Sequence, residues 1–425
     1  MLNDNIATPF AKPLYVMLKP AGAHCNLDCK YCYYLEKNNL YNTSQRHLMT
    51  DEILEQFTQE YIEAQTMNQV LFTWHGGEPL MRSIDFYKKA LELQKKYAHG
   101  KQIDNVIQTN GTLLTDEWCE FFAQNHFLVG ISIDGPQEYH DHYRQTSAGK
   151  PSWEKVMHGI HLLKKHRVEW NAMAVVNAYN AEHPLEFYHF FRDNGCQYLQ
   201  FTPIVERLTE HEDGRTLASL ADVSHEDNYE DVGNAKKQKE NQEITIADFS
   251  VTPEQWGKFL CTIFDDWVRH DVGKIFVEIF DCTLANWVGV QPGICAYSKE
   301  CGHAGVMEHN GDVFSCDHFV FPEYKLGNIQ DKSLIDMLYG EKQQAFSRLK
   351  HTSLPRQCKE CDMEFACHGE CPKNQFENDK YGEPGLNYLC KGYYEYYTHV
   401  APYMDFMKRE LQAQRPPANI MNVLK

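Results

Sequence analysis

The chain has 425 residues, with 41 Lys and Arg against 59 Asp and Glu and a formal net charge of −18 at pH 7. That balance excludes a generalised nucleic-acid surface, which needs a basic footprint, and no apolar run approaches the length that spans a bilayer. The first twenty residues lack a basic stretch followed by an apolar one, so the cytoplasm is the expected location. There, fifteen cysteines read as metal or cluster ligands rather than disulfides.

The first 205 residues alternate between strand-like and helix-like segments. Strands are expected at "PLYVMLKP" (13–20), "QVLFTWH" (69–75), "NVIQTN" (105–110), "FLVGISID" (127–134), "EWNAMAVVN" (169–177) and "YLQFTPIV" (198–205). Between them, stretches such as "DEILEQFTQEYIEAQ" and "SWEKVMHGIHLLKKH" repeat apolar residues at three- and four-residue spacing, as a surface helix demands. Thr50 and Thr115, each before Asp-Glu, read as N-caps. Six β-then-α units in series predict an α/β fold with a parallel sheet, a partial (β/α)6 barrel of the TIM type, two units short of closure. Polar residues gather where strands end, in "WHGGEP", "TNG" and "SIDG", and that edge carries the chemistry in such folds.

Residues 207–248 break the pattern. They are polar and poor in large apolar groups and predict a mobile insertion. Thr252, Pro253 and Gln255 then form a capping box, opening a helical connection over 249–292. The region 293–400 is rich in cysteine and turn residues, and 401–425 is expected to be a helix and tail.

Cysteines fall into three groups. "CNLDCKYC" supplies Cys25, Cys29 and Cys32, with no fourth cysteine before Cys119. CxxxCxxC leaves one iron of a 4Fe–4S cluster without a protein ligand, and an open coordination position is what a metal centre needs to act on a small molecule. Eight more follow near the C-terminus: Cys295, Cys301, Cys316, Cys358, Cys361, Cys367, Cys371 and Cys390. Their spacing suits two tetrads, of zinc or of iron–sulfur, and does not assign the members. Cys119 and Cys261, in apolar helical surroundings, read as inert core residues, with Cys196 and Cys282 as further spares.

The triplet with Tyr31 before its last cysteine, followed by "GGEP" at 76–79, resembles the radical S-adenosylmethionine superfamily, and the C-terminal cysteines resemble its SPASM extension. Through "CNLDCKYCYYLEK", "VLFTWHGGEPLM", "IQTNGTLLTDEWCEFF", "CGHAGVMEHNGDVFSCDHFVFPEYKLGNI" and "CKECDMEFACHGECPKN", the chain resembles the anaerobic sulfatase-maturating enzymes over nearly its whole length. The resemblance implies a radical core over 1–206, a SPASM domain over 293–400 and three 4Fe–4S clusters. Cys25, Cys29 and Cys32 would hold the one that chelates S-adenosylmethionine. Gly77 would meet the methionine amino group, Ser132 and Arg144 its carboxylate, and Tyr31 and Val205 the adenosine. One auxiliary cluster would take Cys295, Cys301, Cys316 and Cys371, the other Cys358, Cys361, Cys367 and Cys390.

Asp317 matches the family's proton acceptor, and Tyr34 and His75 are candidate substrate contacts. The implied reaction oxidises a Cys or Ser in an unfolded sulfatase segment, C/S-x-P/A-x-R, to Cα-formylglycine without oxygen, through hydrogen abstraction by a 5′-deoxyadenosyl radical. A flavodoxin or ferredoxin would donate electrons, and the protein is expected to be a monomer. A thioether-forming peptide maturase is the alternative. The 24 residues before Cys25 leave little room for the leader-binding domain such maturases carry.

Overall fold

In the computed structural model, residues 14–37, 47–211, 214–217, 244–302 and 304–424 are described. All six expected strands form, as β1 (Tyr15–Leu18), β2 (Gln69–Trp74), β3 (Gln102–Thr109), β4 (Leu128–Ser132), β5 (Trp170–Val176) and β6 (Tyr198–Pro203). Each is followed by a helix, the last being Pro253–His270, which completes six β/α steps. The expected caps are in place. Thr50 Oγ accepts from the Ile53 N–H, Thr115 Oγ from the Trp118 N–H, and the Thr252–Gln255 capping box is closed in both directions.

The chain divides into two compact units. The first comprises residues 1–133, 141–171 and 302–347; the second comprises 134–140, 172–301 and 348–425. Within the first, β1 to β4 run parallel in sequence order. The strand Ala304–Met307 pairs parallel to β1 on its other edge and continues into the antiparallel strands Asp312–Phe314 and Lys325–Asn328. Residues of the expected SPASM region therefore extend the sheet that carries the cysteine triplet. The core is aromatic: Phe57, Phe72, Trp74 and Tyr87 are fully buried against one another beneath β2.

In the second unit β5, β6 and Phe276–Val277 run parallel. The insertion differs from expectation at its ends. Arg207–His211, Gly214–Leu217 and Ile244–Ile246 pair as an antiparallel sheet, because backbone ladders form even where side chains are polar. The rest of the insertion, with residues 212–213 and 218–243, lies outside the described residues. The C-terminal region contains the long helix Cys390–Gln412. It crosses the helix Pro253–His270 where two glycines meet: a Cβ on Gly392 would lie 2.1 Å from the Pro253 carbonyl oxygen, and one on Gly257 3.0 Å from Gly392 Cα. No helix among the described residues is long and apolar enough to cross a membrane.

The helix crossing yields a prediction. Gly392→Ala forces backbone apart from backbone and should lower unfolding stability by about 1–3 kcal/mol, read as a lower denaturant midpoint. An unchanged midpoint would contradict the crossing.

Candidate active site

The cysteine triplet occupies the loop after β1 and is held by backbone from two later segments, all in the first unit. Asp28 and Lys30 donate their N–H groups to the carbonyls of Gln145 and Tyr143, at 2.7 and 3.1 Å. From the other side, "GGEP" is bonded to residues 22–24: the Gly77 N–H donates to Gly22 O and the Glu78 N–H to His24 O, each at 2.8 Å. Gly77 has no room for a side chain, since a Cβ would sit 2.1 Å from His24 O. With its N–H committed, Gly77 can meet an amino group only through its carbonyl, which is the acceptor an amine requires.

Glu78 locks this corner. Fully buried, it accepts from Leu80 N, Asn110 N and Thr109 Oγ1 at 2.7–2.9 Å. Asn110 in turn places its amide 3.6 Å from Cys25 Sγ and 2.9 Å from Asn26 Oδ1. Burial, with Glu78 nearby, pushes the Cys25 thiol up to about 12. A ligand thiolate here therefore requires positive charge, which bound iron supplies.

The residues expected for S-adenosylmethionine are placed in part together. Arg144 lies with its guanidinium 5.5 Å from the Tyr31 ring centroid, and Tyr31 packs edge-on against Tyr143. Ser132, the last residue of β4, accepts from Gln108 at 2.9 Å. These residues and Gly77 belong to the first unit, whereas Val205, just after β6, belongs to the second.

Asp317 stands at the centre of a buried charge cluster, also within the first unit. Its Oδ1 is 2.6 Å from the Lys19 ammonium, which also lies 3.1 Å from Glu308. Its Oδ2 accepts from the hydroxyls of both Tyr33 and Tyr34 at 2.5 Å, and its main-chain carbonyl accepts from Lys37. Burial alone would raise the Asp317 carboxyl, but Lys19 and Lys37 hold it well below the usual carboxylate range. Lys19 itself, fully buried, is kept charged by Asp317 and Glu308 against desolvation.

Lys37 is different. Burial, then the repulsion of Lys19, pushes it down to about 7. His75, lowered by burial, completes the ring: Tyr34 Oη is 3.3 Å from its Nδ1. That nitrogen accepts from the Gly76 N–H at 2.8 Å, so the neutral imidazole carries its proton on Nε2. Asp317, Tyr34 and His75, singled out from the sequence, thus meet at one place. Lys19, Tyr33, Lys37 and Glu308 were not singled out. The available signals were a lysine at the C-terminal end of a buried strand and a Lys-Glu pairing that only the fold reveals.

The auxiliary cysteines gather in the second unit, Cys316 excepted. Burial pushes Cys358 up to about 12 and Cys390 up to about 11 and raises Cys361 and Cys367. Cys390 and Cys361 further raise Cys358, Cys361 raises Cys390, and Cys390 and Cys358 raise Cys367, which puts these four thiols in one another's fields. Cys301, Cys371 and Cys295 are linked in the same way. Asn286 bridges the two loops, donating to the carbonyls of Tyr297 and Ala366 at 2.9 and 3.0 Å. Among the described residues no three His, Cys, Asp or Glu side chains converge to hold a single metal ion. Thiols grouped within electrostatic reach fit clusters in which each cysteine binds a different iron. Cys119 is fully buried in its helix, as expected of a core residue, while Cys261 keeps partial exposure.

Comparison with known proteins agrees with this geometry. The Radical SAM superfamily matches residues 20–191, and an iron-sulfur cluster-binding domain, SPASM, matches residues 300–362. The chain is 66% identical over 417 residues to a serine-type anaerobic sulfatase-maturating enzyme of Bacteroides thetaiotaomicron, covering 98% of this chain and 96% of that one. The chain belongs to the anaerobic sulfatase-maturating enzymes. A serine-type member from Klebsiella pneumoniae is 32% identical over 93% of this chain and 90% of its own, and a cysteine-type member from Clostridium perfringens 30% over 92% and 97%. The solved structure of native anSMEcpe with bound AdoMet and Cp18Cys peptide superposes with a TM-score of 0.76 at 28% identity, covering 94% of this chain and 100% of that one. The protein is therefore a radical S-adenosylmethionine enzyme whose cofactors are iron–sulfur clusters, and the thioether-forming alternative is not favoured.

Lys19→Met leaves Asp317 and Glu308 buried without their cation and should cost about 3–5 kcal/mol of stability. Lys37 has a folded pKa of about 7, below its unfolded value near ~10.4. The unfolded chain thus binds the extra proton between those limits, and stability should rise with pH across that window. In Lys37→Met the rise should flatten. Parallel denaturation curves of the two proteins from pH 7 to 10 would contradict this.

Proposed function

We propose that this enzyme oxidises a serine, and through the same geometry a cysteine, to Cα-formylglycine in an unfolded sulfatase segment of the form C/S-x-P/A-x-R, without oxygen. The serine preference is taken from its 66% identical relative, named serine-type. The observation that carries the reading is Asp317. It is a buried carboxylate kept ionised by Lys19 and Lys37, with two tyrosine hydroxyls on one oxygen, in the unit that bears the open cysteine triplet.

Cys25, Cys29 and Cys32 would hold a 4Fe–4S cluster, which with S-adenosylmethionine would supply the radical chemistry that removes hydrogen from the substrate Cβ. The chain positions that co-substrate. Gly77 receives the amino group on its carbonyl, Arg144 grips the carboxylate with Ser132, and Tyr31 flanks the adenosine, joined by resemblance alone by Val205. Asp317 takes the hydroxyl or thiol proton. A serine hydroxyl or a thiol near ~8.5 does not release it unaided at neutral pH. Tyr34 and His75 meet the substrate side chain.

Cys358, Cys361, Cys367 and Cys390 would hold one auxiliary cluster, and Cys295, Cys301 and Cys371, with Cys316 by resemblance alone, the other. Full ligation suits both to storing electrons rather than binding substrate. A flavodoxin or ferredoxin as donor, a monomeric state and a cytoplasmic location complete the proposal.

The test is anaerobic: reconstituted enzyme, S-adenosylmethionine, reductant and two peptides differing only in Ser or Cys, followed by mass spectrometry. Aldehyde should form in step with 5′-deoxyadenosine. Asp317→Asn should lower aldehyde formation by about 10²–10⁴-fold while 5′-deoxyadenosine still appears. If 5′-deoxyadenosine accumulates and neither peptide changes, the substrate assignment falls.

A further inference from the structure

The helix Glu341–Thr352 carries a fully buried lysine, Lys350, in its last turn. Its ammonium donates to three main-chain carbonyls, those of Cys295 and Ala296 at 2.6 Å and of Ser298 at 2.5 Å. These oxygens use all three of its donors, and none of them carries a charge. Among the described residues Lys350 forms no ion pair. Glu370 feels its field but lies beyond ion-pair distance and accepts instead from Tyr397 at 3.2 Å. A buried charge without a counter-charge is costly, so this arrangement calls for an anion nearby.

The surroundings show where that anion belongs. The three carbonyls belong to the loop that begins at Cys295, and just beyond Cys301 the Gly302 N–H donates to Ser347 Oγ of the same helix at 2.9 Å. The ammonium therefore stands against the loop that bears Cys295 and Cys301, two of the ligands assigned to one auxiliary cluster. A thiolate-held iron–sulfur cluster is anionic, and each electron it takes adds a further negative charge. Net charge and neighbouring donors set its potential.

We propose that Lys350 is the built-in counter-cation of the cluster held by Cys295, Cys301 and Cys371, a positioning residue that makes this cluster easier to reduce. Substrate oxidation releases one hydrogen atom, one proton and one electron. The hydrogen goes to the 5′-deoxyadenosyl radical, the proton to Asp317 and the electron to this cluster, whose added charge the ammonium balances. The inference rests on the cluster assignment made above.

The test is a redox titration of the anaerobically reconstituted full-length enzyme, followed by electron paramagnetic resonance, alongside iron and sulfide content. Lys350→Gln keeps hydrogen-bond donors and loses the charge; Lys350→Arg keeps the charge. With iron content unchanged, Lys350→Gln should lower the equilibrium constant for one-electron reduction of one auxiliary signal at least tenfold, a 59 mV fall. The other two signals should stay in place, and Lys350→Arg should restore the first. If Gln alone fails to load iron while Arg loads with the parent potential, the charge requirement stands. An unmoved potential in fully loaded Lys350→Gln, or equal iron loss in both variants, makes Lys350 a structural brace and overturns the proposal. Absence of auxiliary signals from the parent enzyme would instead overturn the cluster assignment itself.

Discussion

A single buried ammonium, that of Lys19, ties together residues from distant stretches of the chain. Lys19 directly follows β1, donates its N–H to Met307 O at 2.9 Å, and holds Glu308 and Asp317 with its side chain. Two carboxylates sharing one cation in a dry interior are stable only if the geometry is kept, because removing the cation strands both. The constraint draws the strand Ala304–Met307 alongside β1, and so sets Asp317 in the unit that carries the open cysteine triplet. Chain remote in sequence becomes chemically local.

The same charges set the protonation states around Asp317. Asp317 is held as a carboxylate by two lysines, while burial keeps the hydroxyls of Tyr33 and Tyr34 protonated and drives His75 toward its neutral form. Neighbouring titratable groups pushed in opposite directions are how one site presents an acceptor and donors together at a single pH. Lys37, pushed down to about 7 by burial beside Lys19, sits between those roles. In the second unit Lys350 is another fully buried cation, held by three main-chain carbonyls rather than by an ion pair.

Much of this was legible in the sequence where local rules decide it. Strand positions, the caps at Thr50, Thr115 and Thr252, and the open triplet rest on spacing within a few residues. The identity of Asp317 came from the resemblance, and its position confirms only where it sits. Lys19, Glu308 and Lys350 escaped notice because their meaning lies in partners far along the chain, and a lone lysine reads as a solvated charge. The neighbour of β1 escaped for the same reason: it comes from residues 304–307, a pairing no periodicity encodes. The strands at the ends of the insertion escaped because their ladder is made by backbone, which composition does not report.

The central claim is that this enzyme removes hydrogen from the β-carbon of a serine in its target segment. The most direct measurement supplies a peptide whose serine carries deuterium at both β positions and examines the 5′-deoxyadenosine by mass spectrometry. Deuterium in 5′-deoxyadenosine, one atom per aldehyde formed, is the predicted result. Unlabelled 5′-deoxyadenosine alongside aldehyde would contradict the claim and place the abstracted hydrogen elsewhere.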